Sequence, residues 1–193
     1  IPTPAQLVVY PTGTGAQRAL ERGSIERYEA AEWFPDSRSL LFTASEPARP
    51  LRSFRQSIDG GPPQPVTPEG IYGTLSPRGD RILAQDGDAT WRLYPLGGGE
   101  PRPVAGLGRL EEIAAWSPDG DYIAARKGFT STRSIAAGEI WLFHVGGGSG
   151  AAVFERPDGA KAQKNIAEPA FSRDGRYIYF AQDTTPGRVW QYN

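Results

Sequence analysis

Short apolar runs alternate with polar turn sequences along the chain, and one combination of the two occurs four times. Each copy has a large apolar residue, a turn rich in Ser, Pro, Asp or Gly, and then a second apolar run. The four copies are Trp33–Ser37, Leu75–Gly79, Trp116–Gly120 and Phe171–Gly175. Pro presets the backbone of such a turn, Asp bonds its own backbone, and Gly accepts a positive φ. Each copy therefore predicts a β-hairpin.

A second hairpin follows each of the first three copies. Its turn ends in glycine, and an apolar residue lies five positions after the last Gly. These stretches are Gln56–Gly61 with Val66, Tyr94–Gly99 with Val104, and Phe143–Gly148 with Val153. The large apolar residues stand at 33, 75, 116 and 171, so the repeats are 42, 41 and 55 residues long. A repeat of about 40–45 residues with four strands is typical of a β-propeller blade.

The repeats are offset by half a blade. Tyr10–Gly15 followed by Leu20 is an outer hairpin with no inner hairpin before it, and the chain closes on an inner hairpin at 165–183. We therefore predict an all-β fold, a β-propeller with four four-stranded blades in a single domain, 1–193. The repeats are 28–68, 70–107, 111–157 and 165–193, the last completed by 1–22. Closure within one chain, or exchange between two chains to give an eight-bladed ring, both satisfy the pattern.

Composition narrows the possible functions. The net charge of −1 lacks the basic excess that nucleic acid or anionic lipid would need, so we predict neither as a partner. The 24 Gly and 18 Pro fall mostly in predicted turns, and the absence of Cys excludes disulfides and thiol chemistry. There is no apolar run of transmembrane length and no signal peptide, so the compartment stays open. With no Met, we expect a processed or trimmed chain.

Little in the sequence indicates catalysis. His144 is the only histidine, which excludes a multi-histidine zinc site, and no G-x-S-x-G motif accompanies it. The acids Asp36, Asp119 and Asp174 recur once per repeat because the turn uses them. We therefore predict no catalytic residues, no metal and no cofactor. Trp33, Trp116 and Phe171 are expected to be core wedges between blades.

Contact residues for a ligand or partner are expected in the loops and at the chain end. The insertion at 128–138 carries Phe129 and Arg133, and the last residues include Trp190 and Tyr192. His144 completes this set of candidate contact residues.

Ala115–Gly120 followed by Tyr122–Ala124 resembles the WD-like repeat of TolB-type β-propellers. Residues 1–108, for instance Trp91–Pro95, resemble propellers attached to bacterial serine/threonine kinases. The chain from Ala115 onward, for instance Gly138–Leu142, resembles propellers that precede bacterial amidohydrolase domains. Such relatives resemble bacterial periplasmic or extracytoplasmic propellers, and the compartment of this chain stays unknown. The two resemblances suggest the hypothesis of an engineered chimera of two propeller fragments.

The resemblance implies a non-catalytic scaffold or binding module. Its partner would be a second copy of the chain or another protein or peptide. The alternative is an accessory propeller of a bacterial hydrolase or kinase that binds a peptide or small ligand at the ring face.

Overall fold

The computed structural model describes residues 5–108, 112–127, 139–154 and 169–180, and every regular element within these ranges is a β-strand. The chain divides into two compact units, Ile1–Arg102 and Pro103–Asn193. The predicted all-β fold is thus confirmed.

The first unit begins with an antiparallel hairpin of β1 (Val8–Val9) and β2 (Arg18–Ala19), which we call the N-terminal hairpin. An antiparallel four-stranded sheet, blade 1, follows in sequence order: β3 (Arg27–Trp33), β4 (Ser39–Ser45), β5 (Arg52–Ser57) and β6 (Gln64–Pro65). Blade 2 repeats the order with β7 (Gly73–Leu75), β8 (Arg81–Gln85), β9 (Trp91–Pro95) and β10 (Arg102–Pro103).

The second unit contains blade 3, with β11 (Glu112–Trp116), β12 (Tyr122–Lys127), β13 (Glu139–His144) and β14 (Ala151–Phe154). A last antiparallel hairpin, β15 (Ala170–Phe171) and β16 (Ile178–Tyr179), is called the C-terminal hairpin. Three repeats therefore form the predicted four-stranded blades. Among the described strands, the N-terminal and C-terminal hairpins are each two-stranded sheets. Their union into a fourth blade, like the single domain, stays a prediction.

The four recurring turns have one backbone geometry. The amide of the last residue donates to the carbonyl of the residue three positions earlier, over 2.8–3.0 Å. Glycine occupies this last position in three turns, with φ near +70° at Gly79, Gly120 and Gly175. Ser37 holds the same position in the first turn at φ +54°. The sequence pattern of these turns is therefore a backbone requirement.

The N-terminal hairpin packs on one face of blade 1. Leu20 is buried in a cluster with Leu40, Phe42 and Phe54, and the two phenylalanine rings stack 5.7 Å apart. Polar contacts hold the same interface: Arg18 Nη1 donates to the Ile58 carbonyl (2.6 Å) and Gln56 Nε2 to the Glu21 carbonyl (2.7 Å).

The opposite face of blade 1 packs on blade 2. Alternation along β4 directs Leu41 to this side, where it joins a second buried cluster with Leu75, Ile82 and Tyr94. β4 thus contributes to two apolar layers.

Trp33 departs from the expectation of a core wedge. Leu75, its counterpart in blade 2, is buried, but Trp33 is 50% exposed. Trp33 pairs with Leu40 at the end of β3, and the N-terminal hairpin covers the parts of this face around Leu40, Phe42 and Phe54. The prediction for Trp33 is therefore wrong for the chain as it stands, because no matching inner strand lies over it among the described residues.

Candidate functional site

A cavity of about 240 Å³ lies within the first unit, where the first strands of blades 1 and 2 are neighbours. Residues of β3, β4 and β7 line it: Ala30, Ala31, Glu32, Leu41, Phe42, Thr43, Gly73 and Thr74. Because Ala30 and Ala31 are solvent-exposed, the cavity opens to the outside. We call it the Glu32 cavity.

A glycine in the cavity lining, Gly73, sets how closely the first strand of blade 2 approaches the second. Gly73 pairs with Ala84, and a Cβ built on Gly73 would stand 1.9 Å from the Leu83 carbonyl oxygen. That distance is far below van der Waals contact, so any side chain at Gly73 would push β7 away from β8. The narrow approach of these strands therefore depends on glycine.

Glu32 is the charged group of the cavity. One carboxylate oxygen, Oε1, accepts the backbone N–H of Leu75 over 2.8 Å and so joins blade 1 to the first strand of blade 2. Burial raises the pKa of Glu32 above its usual range and outweighs the Leu75 N–H, which lowers it. A partly desolvated carboxylate at an apolar cavity favours a hydrogen-bond donor or a cation.

The lining residues supply binding groups without a catalytic set. Besides Glu32, the polar side chains are the hydroxyls of Thr43 and Thr74. General acid–base or nucleophilic catalysis requires a base or nucleophile paired with a second titratable group. None of the other lining residues is a histidine, lysine or carboxylate. Across the described ranges there is also no group of three residues that could hold a metal ion.

His144 is the one predicted contact residue that the structure describes. It lies exposed at the end of β13, where its Nδ1 accepts the backbone N–H of Gly146 over 3.0 Å. Its ring meets the Tyr122 ring edge-on, with centroids 5.0 Å apart. Because Nδ1 accepts the Gly146 N–H, a neutral His144 ring has its proton on Nε2. A contact role for His144 stays a prediction, and Phe129, Arg133, Trp190 and Tyr192 lie outside the described residues.

The turn acids serve their own turns, as the sequence indicates. Asp36 Oδ1 accepts the amides of Arg38 (2.8 Å) and Ser39 (3.0 Å), and the first of these bonds contributes most to lowering the pKa of Asp36. Asp119 and Asp174 each accept a serine hydroxyl of their own turn over 2.6 Å. Their repetition therefore reflects folding.

Sequence reasoning missed Glu32. The residue before the large apolar anchor is Glu32 in the first repeat and Thr74, Ala115 or Ala170 in the others. The available signal was one carboxylate at a position where the other three repeats have a small, uncharged residue. The cavity itself depends on packing between blades, which the sequence does not display.

The described residues contain no helix long and apolar enough to cross a membrane. No protein family and no curated protein matches the chain.

Solved structures do match. A protein designated TolB in Agrobacterium tumefaciens aligns over 93% of this chain and 62% of its own, with a TM-score of 0.63 and 18% identity. TolB from Acinetobacter baumannii aligns over 91% and 48%, with a TM-score of 0.55 and 15% identity. A protein designated as a 6-phosphogluconolactonase in Bacteroides uniformis aligns over 86% and 52%, with a TM-score of 0.45 and 17% identity. The chain spans less than two thirds of each. Its blades and the two TolB alignments together give the chain the fold of a TolB-type β-propeller.

Proposed function

We propose that this protein is a non-catalytic β-propeller binding module and that the Glu32 cavity receives a small apolar group carrying an amine. The observation that carries the proposal is a half-buried carboxylate at an apolar cavity whose lining offers it no catalytic partner. Such a site holds a ligand by shape and one charged contact.

Size and charge define the ligand class. At about 240 Å³ the cavity is slightly smaller than sites for drug-sized molecules, so it suits a small amine or one side chain of a peptide. Leu75 binds one Glu32 oxygen through its N–H, so a ligand ammonium would approach the other carboxylate oxygen. The cation would offset the cost of desolvating the carboxylate, while Leu41, which pairs with Glu32, contacts the apolar body.

Titration of the ¹⁵N-labelled chain with benzylamine, followed by amide chemical shifts, tests this proposal. The expected shifts centre on Thr74, Leu75 and Ala31, and benzyl alcohol is expected to bind more weakly because it has no charge. Glu32→Gln keeps an acceptor for Leu75 but removes the charge, and should weaken benzylamine binding about tenfold.

Glu29→Gln is the matched control, because Glu29 lies on the same strand and forms a surface ion pair with Arg27. It is expected to leave benzylamine binding unchanged. Equal weakening by both variants, or shifts that avoid the cavity, would contradict the proposal.

The non-catalytic part is tested by a broad screen of esterase, amidase and peptidase substrates. No turnover above buffer is expected, because the described contacts of His144 are an accepted bond from the Gly146 N–H and an edge-on contact with the Tyr122 ring, and neither is a catalytic partner. Turnover that His144→Ala abolishes would overturn it.

We also propose that this chain originated as an engineered chimera of two propeller fragments. It is supported by the division of the chain at Arg102/Pro103, close to the change of resemblance between residues 108 and 115. Two fragments joined there would each bring a compact unit. An unbroken match of the whole chain to one natural reading frame would refute this origin.

A further inference from the structure

Among the described residues, the N-terminal and C-terminal hairpins each have a strand edge without a partner strand and exposed aromatic side chains. Each is a two-stranded sheet, whereas the three complete blades have four strands. Tyr10, just after β1, is 68% exposed, and Tyr177 and Tyr179 around β16 are 71% and 66% exposed. Unpaired edges with large apolar side chains are a template for strand addition.

The three complete blades share one register between their second and third strands. The second-strand residue lies seven positions after the large apolar anchor, and the third-strand residue five positions before the last Gly of the next turn. These pairs are Leu40–Gln56, Ile82–Tyr94 and Ile123–Phe143. The same two counts give Ile178, seven after Phe171, and Tyr10, five before Gly15. The repeat thus specifies the pairs Ile178–Tyr10 and Tyr179–Val9.

Side-chain direction supports this register. Val9 packs against the cluster of Leu20, Phe42 and Phe54 on blade 1. Directly paired residues share one face of a sheet, so Tyr179 opposite Val9 would also face blade 1. The apolar surface there that awaits a neighbour is Trp33, which is half exposed. The pairing of Tyr179 with Val9 would therefore explain why Tyr179 and Trp33 are both exposed in a single chain.

We propose that the C-terminal hairpin of a second copy of this chain pairs with the N-terminal hairpin in this register, and that the exchange is reciprocal. Each copy gives one half-blade and receives the other, which is a closed two-fold arrangement with eight blades. The matched TolB structures are longer than one chain, which spans 62% and 48% of them, and a second copy supplies the additional blades. Dimer formation is independent of the Glu32 cavity.

Cysteine pairing tests both register and partner, because the chain has no cysteine of its own. Facing residues of antiparallel strands have Cα atoms about 4.5–5.5 Å apart, within the range that a disulfide spans. The double variant Tyr10→Cys/Ile178→Cys is oxidised and separated on a denaturing gel without reductant. It is expected to give a covalent dimer of twice 20.9 kDa.

Two controls separate register from chance oxidation. Each single cysteine variant, and the out-of-register pair Pro11→Cys/Ile178→Cys, should crosslink at least tenfold less. A disulfide within one chain would overturn the proposal in favour of closure by the chain's own hairpin. Equal crosslinking of all variants, or none, would overturn the register.

Light scattering of the unaltered chain at micromolar concentration supplies the second measurement, with a mass of two chains expected. Trp33→Asp should shift this mass to one chain while the far-ultraviolet circular dichroism is retained. Tyr72→Asp is the matched control, since Tyr72 is 48% exposed in blade 2, and it should remain dimeric. A single-chain mass for the unaltered protein would overturn the proposal.

Discussion

At two positions of this protein the backbone restricts which side chain fits. Gly73 is restricted by a neighbouring strand, and Ser37 by the conformation of its own turn. At Gly73 the neighbouring strand leaves no space for a side chain, and at Ser37 the chain adopts a left-handed conformation without glycine. Both positions therefore allow an experiment in which one small substitution has a defined sign.

Gly73→Ala should destabilise the protein by about 1–3 kcal/mol or more, because the new methyl group meets the Leu83 carbonyl at 1.9 Å. Urea unfolding at equilibrium measures the change. Gly87→Ala is the matched control, since a Cβ there meets nothing within 4 Å, and it should change the stability by less than about 0.5 kcal/mol. A comparable loss in both variants would refute the steric explanation.

Ser37→Gly should stabilise the first turn slightly. A left-handed conformation costs a non-glycine residue about 1–2 kcal/mol, and the freedom of Gly in the unfolded chain takes back about 0.5–1 kcal/mol. We expect a net gain of up to about 1.5 kcal/mol in the free energy of unfolding. The reverse change Gly79→Ser should lose stability, because its Cβ would lie 2.8 Å from Pro35 Cδ. Destabilisation by Ser37→Gly would contradict the comparison.

At the scale of elements, the hairpin is the unit that the sequence predicts well. The conformation of a turn is set by its own residues, so the four recurring turn sequences predict where the hairpins lie and in which order. Contacts between strands of different sheets are harder to predict from the sequence. Trp33 has the same local pattern as Leu75, yet among the described residues a neighbouring sheet buries Leu75 and leaves Trp33 half exposed. The Glu32 cavity arises between two blades and could not be read from either alone.

The second turn gives a pH-dependent prediction. Arg78 occupies the position at which the other turns have Asp. The Ser76 hydroxyl therefore donates to the Asp80 carboxylate instead, over 2.6 Å. The Arg81 guanidinium, with the Ser76 hydroxyl, lowers the pKa of Asp80 to about 2. A pKa that is lower in the folded chain stabilises it above about pH 4. This stabilisation disappears as the pH falls toward 2.

Asp80→Asn should therefore lower the free energy of unfolding at pH 7 and flatten part of its decline between pH 4 and pH 2. The loss should stay below about 1 kcal/mol, because the Asp80 carboxylate is partly exposed and screened by water. Asp59→Asn, which removes surface ion pairs of 3.8 and 4.0 Å, is the control and should leave the pH profile unchanged. Identical profiles for Asp80→Asn and the unaltered protein would contradict the assignment.

For the whole molecule, the half-blade offset is the organising feature. The repeat pattern assigns the two halves of a predicted fourth blade to opposite ends of the chain, so inner and outer hairpins are equal in number but offset in sequence. If exchange between copies completes that blade, its four strands need not belong to one chain. Joining them in one chain would change the association of the protein.

A circular permutant that places residues 1–22 after Asn193 tests this at the scale of the molecule. Its fourth blade becomes continuous, so association loses the strand pairs and retains only contacts between blade faces. We expect its dimer to dissociate at a concentration at least tenfold higher than that of the unaltered chain, measured by analytical ultracentrifugation. Equal dissociation of the two forms would count against strand exchange.

The attachment of the N-terminal hairpin to blade 1 has a consequence for biosynthesis. Leu20, Gln56 and Arg18 fix that hairpin with residues of the first unit, whereas the C-terminal hairpin is synthesised after all three complete blades. Synthesis from Arg102 to Tyr179 takes about 4–15 s at about 5–20 residues per second. Nascent chains on one messenger RNA would thus offer an open edge to each finished neighbour, and assembly would begin during translation.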